Sequence, residues 1–144
     1  WMMGGGPRKD KKFVQKLMAQ IKAGKRELFV VNDKLGTPTY THDFAQCVKA
    51  LLQAEHWGLY NMVCDGLTSR LDVARELVRH LGLADKIKIT EVGSDYFAKE
   101  YFAARPDSER LINRKLALRG LNNMRDWKVG LHEYLDGYYA GYLG

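Results

Sequence analysis

The sequence predicts an α/β fold in which most of a parallel sheet lies outside this chain. Segments with apolar residues three or four positions apart alternate with short strand-like runs. One run, residues 59–64, is almost continuously apolar, as in strands covered on both faces. A parallel sheet needs several such strands side by side, and this chain offers one. The chain also begins with Trp1-Met2-Met3 rather than with an ordinary start, so we expect an N-terminal part to precede it.

The first half of the chain predicts two helices joined by a strand and a turn. Apolar residues at helical spacing predict a helix over residues 10–23, which Gly24 ends. Residues 28–31 predict a short buried strand, and residues 43–55 predict the second helix.

The turn between that strand and the second helix has unusual chemistry. Gly36 permits a positive φ, while Pro38 fixes its own φ and biases Thr37 toward an extended backbone. Thr41 is suited to cap the following helix. A rigid turn at a helix N-terminus can present hydroxyl and N–H groups to an anionic or polyhydroxylated ligand. The alternative is a well-built connection without a binding role.

The second half predicts further strands and helices in alternation. After the strand over 59–64, Thr68 or Ser69 caps a helix that Gly82 ends, and residues 87–92 alternate as a half-exposed strand does. The remaining segments are a short helical piece from Ser94 or Asp95, a strand over 109–112, a helix from Asn113 to before Gly120, and a final helix from about Asp126.

The composition is that of a globular domain with a mild positive charge. The 144 residues are 46% hydrophobic and 28% charged, with a formal net charge of +6. A basic cluster at residues 8–12 is interpreted as a solvated face. Nucleic-acid binding is not expected, because basic and aromatic residues are not interleaved there.

The cysteines and the hydropathy pattern bear on location. Cys47 and Cys64 lack metal-ligand spacing and are predicted to be buried free thiols in a reducing compartment. No apolar run approaches a membrane span, and no signal peptide is recognisable. We therefore expect a cytoplasmic location without a membrane partner.

No complete catalytic or cofactor-binding motif is present. The glycine tract at residues 4–6 is followed by Pro7 and does not fit G-x-G-x-x-G, and no Tyr stands four residues before a Lys. The four histidines are scattered, so a shared metal site is not expected. We therefore predict no catalytic, cofactor-binding or metal-binding residue in this chain.

Arg105 and Trp1 are the binding candidates that residue chemistry identifies. Arg105 precedes Pro106, and a guanidinium in a stiffened loop can clamp a phosphate with two hydrogen bonds. The alternative for Arg105 is an ion pair with the chain's own carboxylates. Trp1, beside the glycine tract, can stack on a sugar or base, or be an ordinary core or rim aromatic.

Several motifs follow one another in a recognisable order. They are Trp1-Met2-Met3-Gly4-Gly5, Lys12-Phe13-Val14, Asn32-Asp33-Lys34-Leu35-Gly36-Thr37-Pro38-Thr39-Tyr40-Thr41-His42-Asp43-Phe44-Ala45, Gly58-Leu59-Tyr60-Asn61, Ser69-Arg70, Ala104-Arg105-Pro106 and Met124-Arg125-Asp126-Trp127. Together they resemble the C-terminal half of dTDP-4-dehydrorhamnose reductases, which belong to the extended short-chain dehydrogenase/reductase family. The similarity runs from end to end, and the D-x-x-G-x-P-T-x-x-x-D-x-A block and the Arg-Pro pair are its most specific parts.

The resemblance implies that residues 1–144 form the substrate-binding region of an extended Rossmann-fold reductase. The implied reaction is the reduction of dTDP-4-dehydro-L-rhamnose to dTDP-L-rhamnose by NADPH or NADH, in dTDP-rhamnose biosynthesis. An absent N-terminal Rossmann half would bind that cofactor and supply the acid of a Tyr-x-x-x-Lys motif, with Mg²⁺ as an additional candidate. This chain alone is expected to be inactive.

The same resemblance implies roles for individual residues. Trp1 would border the sugar, the turn of Thr37, Pro38 and Thr39 would shape the pocket, and Arg105 would bind the diphosphate. Residues 59–64 would be the last strand of the Rossmann sheet. The candidate partners are the dTDP-sugar, the missing half and a second copy of the chain. Two alternatives stay open: a non-catalytic regulatory or scaffold subunit of the same fold, and another nucleotide-sugar epimerase or reductase.

Overall fold

The computed structural model describes residues 1–99 and 106–144, and in them helices alternate with short strands. The strands are β1 (Met2–Met3), β2 (Glu27–Val31), β3 (Leu35–Gly36), β4 (Thr39–Tyr40), β5 (Thr68–Ser69) and β6 (Lys88–Val92). The helices are α1 (Gly6–Lys9), α2 (Phe13–Lys22), α3 (Thr41–Gln53), α4 (Arg70–His80), α5 (Arg114–Leu118) and α6 (Trp127–Tyr139), with a 3₁₀ turn at Ser94–Phe97. The α/β class is confirmed.

The strands of the described residues pair two by two. β1 is parallel to β4, β2 is parallel to β6, and β3 is antiparallel to β5. The β2–β6 pair runs in register from Glu27 opposite Lys88 to Val31 opposite Val92. Its crossover contains α3 and α4, because parallel strands cannot be joined by a tight turn.

Helices α2, α4 and α6 bury most of the apolar stripes that their periodicity predicts, whereas in α3 the predicted inward residue Leu52 is 54% exposed. The fully buried side chains include Met18 of α2, Leu77 of α4, and Leu131 and Tyr134 of α6. Ser69 caps α4 as predicted, through a reciprocal pair of hydrogen bonds with Asp72 at 3.1 and 3.0 Å. Among the described residues, none of these helices combines the length and apolarity that crossing a membrane requires.

The predicted strand over residues 59–64 is wrong for this structure. Leu59 is 87% exposed, and no described residue pairs with this segment as a neighbouring strand. It is held instead by side chains: Asn113 bonds both backbone groups of Val63, and Thr39 accepts from the N–H of Cys64. Apolar composition favours a strand, but the strand forms only where a partner supplies backbone hydrogen bonds.

Two other boundaries differ from the sequence prediction. Residues 109–112 form no strand, because the described backbone pairs there only through a single bridge between Leu35 and Ser108 and the bond from Glu109 N to Leu35 O. The helix predicted from Asp10 begins at Phe13. The buried Asp10 carboxylate instead accepts hydrogen bonds from Lys12 N at 2.7 Å and from the Tyr134 hydroxyl at 2.9 Å. Asp10 thus ends α1, where its N–H donates to Gly6 O, and lies outside α2.

Thr41 does not cap α3 as its residue type suggests. It is the first residue of the helix, and Tyr40 occupies the cap position without a side-chain bond. The Thr41 side chain lies against Gly4, where an added Cβ would approach Oγ1 to 1.9 Å. The glycine tract is thus needed for close packing of the chain start on α3.

Both thiols are free and buried, as predicted, and we expect them to be unreactive in the folded chain. Burial raises the pKa of both, that of Cys64 to about 11. At pH 8 Cys64 then holds about 100-fold less thiolate than a thiol of pKa 9. Alkylation by iodoacetamide should be negligible in native protein and complete in denaturant. Rapid alkylation of both cysteines in the native protein would contradict this expectation.

Burial of Cys64 also makes the stability of the fold depend on pH. Because the pKa of this thiol is raised in the folded state, the stability that it contributes is full below about pH 9 and is lost as pH rises toward 11.

Candidate functional site

Trp1 and the turn after β3 come together through the backbone. Thr39 N donates to Trp1 O at 2.7 Å, and the terminal amine of Trp1 donates to Thr37 O at 3.2 Å. The parallel pairing continues into β1 and β4, where Met2 lies opposite Thr39. The sequence-predicted residues Trp1, Thr37 and Thr39 therefore form one unit, although they are more than thirty positions apart.

The turn itself is buried, and its hydroxyl groups are used internally. Thr37 Oγ1 donates to Gly66 O at 2.8 Å. Thr39 Oγ1 donates to Thr37 O at 3.5 Å and accepts from Cys64 N at 3.4 Å. Pro38 lies between them and is also buried. The sequence suggested that the turn presents hydroxyl groups to a ligand. In the structure the hydroxyl groups of Thr37 and Thr39 bond within the protein, so the turn contributes through its backbone and its rigidity.

The Trp1 indole has neighbours from three other segments. Its Nε1 donates to Glu109 Oε2 at 2.6 Å. The guanidinium carbon of Arg70 lies 4.8 Å from the ring centroid. A Cβ added at Gly36 would come within 2.5 Å of indole atoms Cε2 and Cζ2, so the ring rests directly on the turn backbone. The ring is partly exposed and held in one orientation.

The segment that follows Arg105 arrives at the same place. Arg105 itself lies outside the described residues. Downstream of it, Leu35 N donates to Asp107 O and Glu109 N donates to Leu35 O, both at 2.8 Å. Lys34 Nζ also pairs with an Asp107 carboxylate oxygen at 2.8 Å. The Arg-Pro loop is therefore anchored, on its described side, beside Trp1 and the turn.

Two motif residues behind the turn form an ion pair whose carboxylate is buried. The Asp43 side chain is 4% exposed, and its Oδ1 accepts from Arg125 Nε at 2.8 Å with Nη2 at 2.6 Å. Cys64 Sγ lies 3.7 Å from the other oxygen. Arg125 also donates to Glu133 at 2.7 Å, and these hydrogen bonds raise the pKa of its guanidinium. The pair ties the start of α3 to the segment before α6 and has no exposed face for a ligand at Asp43.

The rest of that motif fixes the start of α6. The Asp126 carboxylate accepts from Lys128 N at 2.8 Å and caps the helix, which begins at Trp127, next to the predicted start near Asp126. Asp65 bridges this segment, with Asp65 N donating to Arg125 O at 2.9 Å and Trp127 N donating to Asp65 O at 3.0 Å. The Trp127 ring is buried against Gly66. Since Gly66 O also accepts from Thr37, α6 and the turn are coupled through one glycine.

The histidines are less scattered than their sequence positions indicate. The rings of His80 and His132 stack with centroids 4.0 Å apart, and each Nε2 meets a carboxylate oxygen, of Asp136 at 2.7 Å and of Glu76 at 2.6 Å. Burial raises the pKa of Glu76, but hydrogen bonds from Arg79 and His132 outweigh it and lower that pKa. Across residues 1–99 and 106–144, no three side chains that ligate metals form a metal-binding group.

Two open clefts lie away from the Trp1 unit. One of about 440 Å³ is lined by Gly66, Leu67, Arg75, Arg79 and Lys128 among others. Another, of about 510 Å³, lies between the glycine tract and the side chains of Tyr138 and Tyr142. Neither cleft is lined by Trp1 or by the turn.

The sequence did not single out Arg70 or Glu109 as site residues. Both stand within or just beyond quoted motifs, Ser69-Arg70 and the Arg-Pro segment, which is the signal that could have identified them. Their contacts with Trp1 join positions 69 and 108 residues apart and leave no local pattern.

Comparison with known proteins identifies the family to which this fold belongs. The family model of the RmlD substrate binding domain matches residues 1–140. The chain is 34% identical over 132 residues to the dTDP-4-dehydrorhamnose reductase of Mycobacterium tuberculosis, covering 91% of this chain and 41% of that protein. Crystal structures of dTDP-4-dehydrorhamnose reductases from Clostridium acetobutylicum and Yersinia enterocolitica superpose with TM-scores of 0.83 and 0.85, at 34% and 32% identity. They match 94% and 96% of this chain and 45% and 47% of theirs.

The fold is that of the matching part of dTDP-4-dehydrorhamnose reductases, which are extended short-chain dehydrogenase/reductase enzymes. The chain belongs to the RmlD substrate-binding domain family. It spans less than half the length of these relatives.

Proposed function

We propose that this chain is the substrate-binding half of an NAD(P)H-dependent dTDP-4-dehydrorhamnose reductase. The observation that carries the proposal is the joining of Trp1 to the Thr37–Thr39 turn, with the segment after Arg105 anchored beside both. An indole offers a flat apolar face to a sugar ring, and an arginine offers a fork to a diphosphate. In this proposal Trp1 borders the sugar, Thr37, Pro38 and Thr39 hold the wall rigid, and Arg105 binds the diphosphate.

The proposed reaction reduces the C4 keto group of dTDP-4-dehydro-L-rhamnose. NADPH or NADH supplies the hydride to the carbonyl carbon, and a proton reaches the oxygen from an acid on the preceding half, giving dTDP-L-rhamnose. This chain's own residues would bind and orient the sugar nucleotide. Mg²⁺ stays a prediction, to which no cluster of described side chains lends support. The two free thiols suit a reducing compartment, so the cytoplasm is the proposed location.

An exposed apolar face supports a preceding half as partner. Leu59, Ile112 and Leu118 are each more than two-thirds exposed. They lie on segments that hydrogen bonds join, Asn61 Nδ2 to Ile112 O at 3.3 Å and Lys115 Nζ to Leu59 O at 3.2 Å. Large exposed apolar groups close together mark interaction surfaces. More than half of the relatives' length has no counterpart in this chain, and we propose that this other part covers the face. A second copy of the chain is the alternative occupant.

The decisive experiment is a reductase assay with and without an N-terminal half. We expect no oxidation of NADPH by the 144-residue chain with dTDP-4-dehydro-L-rhamnose. Turnover should appear when the chain is joined to a relative's N-terminal part carrying a glycine fingerprint and a Tyr-x-x-x-Lys motif. The matched control replaces the tyrosine of that motif by phenylalanine, which should abolish turnover.

Three outcomes would contradict the proposal. Oxidation of NADPH by the chain alone would show that it carries its own catalytic acid. A joined protein that folds and binds NADPH but does not turn over would favour the non-catalytic subunit. Turnover of another nucleotide sugar, without the dehydrorhamnose, would favour a different epimerase or reductase.

A further inference from the structure

Arg70 connects Trp1 to the first turn of α2. Its guanidinium carbon lies 4.8 Å from the Trp1 ring centroid and 5.3 Å from the Phe13 ring centroid. Arg70 is the first residue of α4, so its backbone is fixed by the Ser69 capping bonds directly before it. The stack therefore unites the chain start, α2 and α4 at one point.

The contact suits an arginine in particular. A guanidinium is planar and weakly hydrated, so it stacks on aromatic faces, whereas a lysine ammonium is a compact point charge. Two aromatic contacts at once give the guanidinium one preferred orientation. Gly36 lies against the indole atoms Cε2 and Cζ2, and Glu109 accepts the indole N–H. Of these neighbours, Arg70 is the one whose charged group lies over the ring.

We propose that Arg70 is a positioning residue that fixes the orientation of the Trp1 indole, so that a Phe13–Arg70–Trp1 stack sets the aromatic wall of the sugar site. The inference deepens the proposed function and rests on it where Trp1 borders the sugar. Arg70 acts through Trp1, and its effect on a ligand follows from where it holds the ring.

The test reads Trp1 directly by ¹⁹F NMR of protein labelled with 5-fluorotryptophan. The chain has three tryptophans, and Trp1→Phe and Trp57→Phe assign their signals. In Arg70→Met we expect the Trp1 signal to shift and to report greater exposure, while the Trp127 signal stays in place because that ring is buried elsewhere. The matched control is Arg75→Met, which removes another arginine of α4 that pairs with Glu91 at 3.6 Å.

If the ¹⁹F signal of Trp1 has the same chemical shift in Arg70→Met as in Arg75→Met, the proposal is overturned. If Arg70→Met also moves the Trp127 signal, its fold is disturbed and Arg70→Lys decides. Lysine keeps the charge and most of the length but lacks the planar face, so we expect the Trp1 signal to shift again. An unmoved Trp1 signal in a folded Arg70→Lys protein would equally overturn it.

A binding arm separates this proposal from the proposed function. In the joined enzyme, Arg70→Met should weaken binding of dTDP-L-rhamnose about two- to fivefold relative to Arg75→Met, the scale of one cation–π contact. If the unsubstituted enzyme binds no dTDP-sugar, the proposed function fails while the NMR comparison still decides the role of Arg70. If Arg70→Met moves Trp1 and leaves the affinity unchanged, the claim that Trp1 orientation serves the site is overturned.

Discussion

Replacing Arg125 by methionine is expected to lower the free energy of unfolding by about 3 kcal/mol. The substitution leaves the Asp43 carboxylate buried without the guanidinium that lies 2.6 Å from it. Arg125 is itself 37% exposed, so water can relieve part of the penalty, and the loss should stay at the lower end for a broken buried pair. Urea unfolding followed by circular dichroism measures it.

The second substitution in a double-mutant cycle separates charge from packing. Asp43→Asn in the Arg125→Met background should recover part of the loss, because an amide is far less costly to bury than an unpaired carboxylate. Arg8→Met, at an exposed position of α1, is the matched control and should change stability by less than about 0.5 kcal/mol. If Arg125→Met is as mild as Arg8→Met, the pair does not stabilise the fold as argued.

Replacing Gly66 by alanine is expected to cost about 3 kcal/mol through two separate effects. Gly66 has φ +99°, a left-handed region in which an L side chain is strained. Its added Cβ would also lie 2.6 Å from Cδ1 of the buried Trp127. Trp127 cannot easily withdraw, because Trp127 N is bonded to Asp65 O at the start of α6. Thermal or urea unfolding measures the loss.

Gly82→Ala is the control for Gly66→Ala. Gly82 has φ +65°, and a Cβ there would meet nothing within 4 Å, so it reports the backbone strain alone, about 1 kcal/mol. The excess in Gly66→Ala combines the clash with Trp127 and the greater backbone strain at φ +99°. We also expect the Thr37 turn to shift in Gly66→Ala, since Thr37 Oγ1 donates to Gly66 O. Equal losses in the two variants would show that Trp127 accommodates the methyl group.

The apolar run at residues 59–64 shows where composition misleads. Its residues favour a strand, but a strand is a property of a pair, and the described residues supply no partner. The same limit applies to residues 109–112, where the contacts with Leu35 replace a ladder. For the helices the reverse holds, because their hydrogen bonds are internal and their apolar period is written locally.

In the candidate site, too, the sequence predicted some features and only the structure revealed the others. The motif around residues 33–45 and the Arg-Pro pair predicted a family, which the match over residues 1–140 confirms. In the structure, Asp43 and Arg125 form an ion pair with a buried carboxylate, and Thr37 and Thr39 make internal hydrogen bonds. A motif carries both fold and function, and sequence spacing alone does not separate them.

The sequence by itself determined the α/β class, the helices, the cap of α4 at Thr68 or Ser69, and the family. These depend on interactions within a few residues or on motifs read in order. Only the tertiary structure placed Arg70, Gly36 and Glu109 around Trp1 and joined Thr37 to α6 through Gly66. The physical reason is separation along the chain. Each of these contacts joins segments that are distant in sequence and adjacent only in the fold, so the residues around one partner do not indicate the other.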